Sequence, residues 1–304
     1  MKEMEDLYKV LSENTNHFPN VYLDQLYNEY FNMNWLRPET ALYYFSLAKT
    51  MHKYMIYFEE PVLDLGCGDG TFLTIFFGGI FDKNTDCYRT VDLNKKDIYD
   101  NFVPSETKLV LYKPNEKLYG IDIRESVVKT ARELKSYVEV KVADIKKIPY
   151  EDNFFKTVYC NIINDIKDKD LPKVFKEIYR VLDTNGFVIF TTPTEDFLDC
   201  LYYGKSIWKP RPLAFWEKFL KEFNFEFVKI EPFMDKRLLR FWDTGFRPYF
   251  KELMEFRKIL QYKDLLLKVK SLYVEIFKNY LFDYINKPLG KDIGFALIIA
   301  RKIQ

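Results

Sequence analysis

Short apolar runs alternate along this chain with stretches whose apolar positions return every three or four residues. "PVLDLG" (61–66) lacks polar alternation, as expected of a strand buried on both faces. "LYGIDI" (118–123), "YVEVKVADI" (137–145), "FFKTVYCNII" (154–163) and "TNGFVIFTTP" (184–193) read as further strands, and "FEFVKIEPF" (225–233) and "IGFALIIARKI" (293–303) as the last two. Between them, helical spacing marks "GDGTFLTIFFGG" (68–79), "RESVVKTARELK" (124–135), "LPKVFKEIYRVL" (171–182) and "PLAFWEKFLKEFN" (212–224). Strand and helix alternate from 61 to about 233, which predicts an α/β fold: a Rossmann-like, seven-stranded, mostly parallel, doubly wound sheet with its last strand antiparallel.

The pattern also predicts what is added to that sheet. Residues 1–33 read as one or two short helices, and "LRPETALYYFSLAKTMHKYM" (36–55) as another, with Pro38 suited to a first turn. Turn residues without sustained period make 80–117 an insertion, within which "VLYKPNEKLYGIDI" (110–123) could instead close as a hairpin. A second, helical insertion spans about 234–292, with Leu265, Val269, Leu272, Ile276, Tyr280 and Tyr284 as its apolar stripe. The expected organisation is a helical N-terminal cap over 1–40 and one domain over 41–304.

Charge and cysteine usage narrow the function. Net charge is +1, with 46 Lys and Arg against 45 Asp and Glu, so no global field favours a polyanion and a nucleic-acid partner is not expected. Residues 232–292 carry 13 Lys or Arg against 8 Asp or Glu, a local excess suited to an active-site cover, a homodimer contact or an anionic, lipid-linked acceptor. The four cysteines show no CxxC pairing and there are two histidines, so no metal site is expected and a reducing, cytoplasmic setting fits. No run is long enough to span a bilayer.

Candidate chemistry centres on Gly66, Gly68 and Gly70, directly after the first strand. A dinucleotide fingerprint is G-x-G-x-x-G, built to cradle a pyrophosphate. Here the spacing is G-x-G-x-G and Asp64 precedes it, a carboxylate better matched to a cation than to a diphosphate. S-adenosylmethionine carries a sulfonium and an ammonium and no phosphate, so spacing and charge lean toward it.

"VLDLGCGDG", "YGIDIRESVVKTAREL", "VKVADIKKIPYEDNFFKTVYCNIINDI" and "VFKEIYRVLDTNGFVIFTTPT" occur in order, and the chain resembles the class I S-adenosylmethionine-dependent methyltransferases, most closely the methyltransferase type 11 group. The resemblance implies methyl transfer to a small-molecule, glycan-precursor or lipid-like acceptor. It further implies that Asp122 holds the ribose hydroxyls with Ile123 on the adenine face, and that Asp144 and Ile145 close the adenine pocket. Gly66, Cys67 and Gly68 would lie under the methionine portion, Asp64 would face its ammonium, and Asn161 would face the methionyl or acceptor side. Acceptor choice is expected to reside in 1–34, 80–117 and the block before the last strand. Asp165, Glu195 and Asp196 stand near strand ends, but no catalytic base is named. A silent cofactor-binding regulatory or partner protein is the alternative.

Overall fold

The computed structural model describes residues 18–89, 91–98, 109–111 and 117–304. Part of the expected N-terminal helix and much of the first insertion lie outside these. The chain enters through α1 (Val21–Met33), whose first amides are capped by the Asn20 side chain, and α2 (Pro38–His52), which starts on the expected proline. It then reaches β1 (Val62–Leu65), buried at every position. After α3 (Thr71–Phe76) come two short strands, β2 (Ile80–Phe81) and β3 (Leu109–Leu111), and then β4 (Leu118–Asp122), α4 (Glu125–Glu133), β5 (Glu139–Val142) and β6 (Phe155–Cys160).

The second half runs α5 (Leu171–Val181), β7 (Leu182–Pro193), α6 (Phe197–Cys200), α7 (Leu213–Glu222) and β8 (Phe225–Asp235). It closes with α8 (Lys236–Thr244), α9 (Phe250–Tyr262), α10 (Leu266–Asn286) and β9 (Ile293–Lys302). The main sheet has seven strands in the order β5-β4-β1-β6-β7-β9-β8. Every pair up to β6–β7 is parallel, and β9 runs antiparallel to both β7 and β8. The order reverses between β4–β1 and β6, and at such a switch point loops diverge and leave a crevice at the carboxyl ends of the strands.

Two expectations need correcting. Leu109–Leu111 pairs with Ile80–Phe81 in a separate antiparallel sheet, whereas β4 lies parallel to β1 with Leu118 opposite Val62, so the hairpin alternative fails. The buried stripe of α10 is Lys270, Val274, Lys278, Leu281 and Ile285; of the expected stripe, Leu265, Val269 and Tyr284 pack partly buried against the core, whereas Ile276 and Tyr280 stand outside at 40% and 59% exposure. Two lysines sit on the inward face because their polar ends are met: Lys270 Nζ donates to the carbonyls of Lys83 and Thr85, and Lys278 Nζ pairs with Glu275 at 3.0 Å.

One core lies on each face of the sheet. One face packs α5 and α7 through Phe175, Ile178, Trp216 and Leu220. The other receives α1, α2 and α10, with Phe18 and Tyr27 in ring contact with each other and each with Phe45 and Phe282, and the Tyr27 hydroxyl donating to Lys278 O at 2.6 Å. Asp86 fastens the first insertion to these helices. It is fully buried, accepts from the Trp35 indole at 3.0 Å and from the Tyr88 amide at 2.9 Å, and pairs with Arg257 Nε of α9 at 3.2 Å. No helix among the described residues is long and apolar enough to cross a membrane.

Candidate active site

The crevice at the switch point holds a cavity of about 320 Å³. Its floor is the turn after β1. Gly66 and Cys67 donate their amides to Ile121 O at 2.8 and 2.9 Å, which fixes the turn to the end of β4. Gly66, Gly68 and Gly70 all have positive φ. At Gly66 a Cβ would stand 2.4 Å from Ile162 Cδ1, so glycine there permits close packing. At Gly68 it would meet nothing within 4 Å, and this glycine leaves open the face of the turn that borders the cavity.

Carboxylates surround this floor. Asp122 ends β4; one oxygen accepts from Gly68 N at 3.1 Å and the other from Arg124 N at 2.9 Å. A carboxylate has about four acceptor sites, so two backbone amides leave room for a pair of hydroxyls. Asp64, on β1, accepts from the buried Tyr137 hydroxyl at 2.7 Å. Burial pushes the Asp64 carboxyl up to about 7, aided by repulsion from Asp122 and Asp69 and opposed by the tyrosine hydrogen bond. A cation placed there would restore the ionised form.

The expected site residues divide. Asp64, Gly66, Cys67, Gly68, Asp122 and Asn161 all line the cavity. Ile123 stands outside it at 67% exposure, and Asp144 and Ile145 are not part of its wall. Asp144 accepts from its own loop at Lys146 N and pairs with Lys146 Nζ at 3.4 Å, while Ile145 packs against the core beneath the sheet. Asn161 caps no helix. Its Oδ1 accepts from the Tyr43 and Thr191 hydroxyls at 3.1 and 2.6 Å, which ties β6 to α2 and β7. Asp165 accepts from the Trp208 indole, and neither it nor Glu195 nor Asp196 lines the cavity.

The remaining wall was not singled out residue by residue. Tyr30 and Asn34 come from α1, Arg37, Thr40 and Tyr44 from α2 and its approach, Cys87 and Tyr88 from the first insertion, and Phe250 from α9. Phe72, directly after the glycines, stacks between Tyr30 and Tyr159. The hydroxyls of Thr71, Tyr88 and Tyr159 are buried and have no hydrogen-bond partner among the described residues, although all three residues line the cavity. An unmet buried hydroxyl costs about 1–3 kcal/mol. A polar ligand with a cationic portion fits these carboxylates, the open Gly68 face and these hydroxyls. No three His, Cys, Asp or Glu side chains gather as a metal site among the described residues.

A strand-order reversal, a glycine bend and an acidic residue closing the neighbouring strand define the Rossmann-like fold of the class I methyltransferases. Residues 105–190, less than half of the chain, match the family described as "Methyltransferase domain". S-adenosylmethionine is the cofactor of that family.

The chain is 32% identical over 129 residues to phosphoethanolamine N-methyltransferase 3 of Arabidopsis thaliana, covering 38% of this chain and 26% of that one. It is 24% identical over 143 residues to malonyl-[acyl-carrier protein] O-methyltransferase of Legionella pneumophila, covering 46% and 38%. The match thus spans well under half the length of either curated relative. Among solved structures, the [4+2]-cyclase SpnF is similar at 16% identity and TM-score 0.47 over 99% of this chain and 94% of its own. A SAM-dependent methyltransferase from Archaeoglobus fulgidus is similar at 17% and 0.46 over 84% and 93%.

Proposed function

We propose that this chain transfers a methyl group from S-adenosylmethionine to a small-molecule, glycan-precursor or lipid-like acceptor. The observation that carries the proposal is one cavity joining the glycine turn, Asp64 and Asp122 to walls from α1, α2, the first insertion and α9. When bound, S-adenosylmethionine supplies a methyl group on a positive sulfur, which departs as a neutral thioether as the acceptor's lone pair takes the methyl. Asp122 holds the ribose hydroxyls, Asp64 draws the ammonium, and Gly66, Cys67 and Gly68 support the methionine portion. Ile123 and Asp144 flank the adenine outside the cavity, where the exposed Ile123 gains cover.

Positioning dominates such a reaction, because aligning the nucleophile with the methyl–sulfur bond removes most of the entropic barrier. The nucleophile belongs to the acceptor. Burial pushes the Cys67 thiol well up and the Cys160 thiol up to about 12, so neither supplies a thiolate at neutral pH. The two curated relatives are named for a nitrogen and an oxygen acceptor, and both atoms stay within the proposal. The free cysteines fit a cytoplasmic location. The outward Ile276 and Tyr280 supply a surface for a homodimer, which sedimentation at two concentrations would test.

Calorimetry with S-adenosylmethionine and its demethylated product tests the cofactor half. No binding of either at high micromolar concentration would overturn it. Metabolite profiling with isotopically labelled methyl donor tests the acceptor half by asking which molecule gains the label.

A further inference from the structure

The cavity has two kinds of wall. Asp64, Asp69 and Asp122 surround the glycine turn, and no anion would settle beside them. The wall from the approach to α2, the first insertion and α9 instead presents Arg37, Tyr88 and Phe250. Glu39, fully buried, accepts from Arg37 Nε at 2.9 Å. That bond fixes the guanidinium while its two terminal nitrogens donate to nothing among the described residues. Phe250 supports it from the side, its ring centroid 5.6 Å from the Arg37 carbon. Tyr88 lines the same wall, packs its ring 6.1 Å from the Phe250 that flanks Arg37, and its hydroxyl has no partner among the described residues.

A fixed guanidinium with two free donors beside an unmet hydroxyl is matched by a planar or tetrahedral oxyanion. An amine is not matched, since the cation face of Phe250 is already taken and Arg37 would repel a second positive charge. Resting on the methyl-transfer reading, we propose that the acceptor carries a carboxylate or phosphate, held by the Arg37 guanidinium and the Tyr88 hydroxyl. The anion then docks away from the carboxylates that attract the cofactor's ammonium, and the two ligands enter one cavity with opposite charge preferences.

Ligand-observed NMR on the full chain saturated with S-adenosylhomocysteine tests this, with benzoate, phenyl phosphate and benzylamine as probes of similar size. The anions are expected to bind and benzylamine not to, and the preferred anion separates carboxylate from phosphate. Arg37→Gln should weaken anion binding about tenfold to a hundredfold, and Tyr88→Phe about fivefold, with S-adenosylhomocysteine affinity within twofold of the parent. Because Arg37→Gln alone strands Glu39, the Arg37→Gln/Glu39→Gln double variant provides the same reading in a neutral pair. Tyr88→Phe removes only an unpartnered oxygen and should fold at least as well as the parent. Preference for benzylamine, or anion binding indifferent to both positions, overturns the proposal while cofactor binding stands. Failure of the parent chain to bind S-adenosylhomocysteine overturns the methyl-transfer reading and this proposal with it.

Discussion

Asp64 couples the cavity to pH. Its carboxyl is raised in the folded chain, from 3.8 to about 7, because burial and the neighbouring Asp122 and Asp69 disfavour its charge. Such a group stabilises the fold fully below its unfolded pKa, and that contribution is lost as pH rises through the folded value. Thermal melts of the ligand-free protein should therefore fall between about pH 4 and 7 and level off above, and Asp64→Asn should flatten the slope. Cofactor affinity should move the opposite way, tightening several-fold from pH 6 to 8 as the carboxylate ionises, which calorimetry at three pH values would measure. The glycines make a second contrast. Gly68→Val should cost about 1–2 kcal/mol of stability for its positive φ but at least tenfold in cofactor affinity, because the new side chain borders the cavity. Gly66→Ala should mainly lower the melting temperature, because Ile162 must move. Legibility at this scale followed locality. As cavity-wall residues, Asp64, Gly66, Cys67, Gly68, Asp122 and Asn161 were readable because each sits at or just past a strand end, although Ile123, Asp144 and Ile145 follow strand ends too and lie outside the wall. Arg37 and Tyr88 were not readable, because nothing within a few residues of either says that they meet.

Among elements, the regular ones were legible and the inserted ones only in outline. The strands and their crossover helices are specified by local periodicity, and the main sheet has the seven strands and mostly parallel sense expected from the alternation. The first insertion could be located but not placed, since Leu109–Leu111 pairs with a two-residue strand that has no pattern of its own. The α10 stripe was legible only in part, Leu265, Val269 and Tyr284 packing against the core, because Lys270 and Lys278 occupy inward positions that a hydrophobic count skips, while Ile276 and Tyr280 score as core and face outward. Tertiary partners outvoted periodicity there. The anchoring of the first insertion makes a testable point. Asp86→Asn should destabilise the protein by about 3–5 kcal/mol, because it leaves the buried Arg257 without its counter-charge. Chemical denaturation would read this as a lower midpoint, and a midpoint within error of the parent would contradict it.

Across the whole molecule, the cavity touches both the sheet and the helices laid over it. A ligand that bridges them should stabilise the two together. At a hundredfold excess over its dissociation constant, S-adenosylhomocysteine should add about 2.7 kcal/mol, visible as a rise of several degrees in the melting temperature. Hydrogen exchange should slow in α1, α2 and the segment 82–89 as well as in the glycine turn. Protection confined to the turn would mean that the helices take no part. The overall sheet could be anticipated because it is a repetition of local units, whereas the cavity walls converge from six separated parts of the chain. Asp86 has a practical corollary for protein engineering. Since one buried carboxylate clasps Trp35, Tyr88 and Arg257 at once, this wall of the cavity behaves as a single casting. Transplanting it to a related scaffold would require moving the entry helices, the 82–89 segment and α9 as a set, and exchanging any one of them alone should yield an insoluble hybrid.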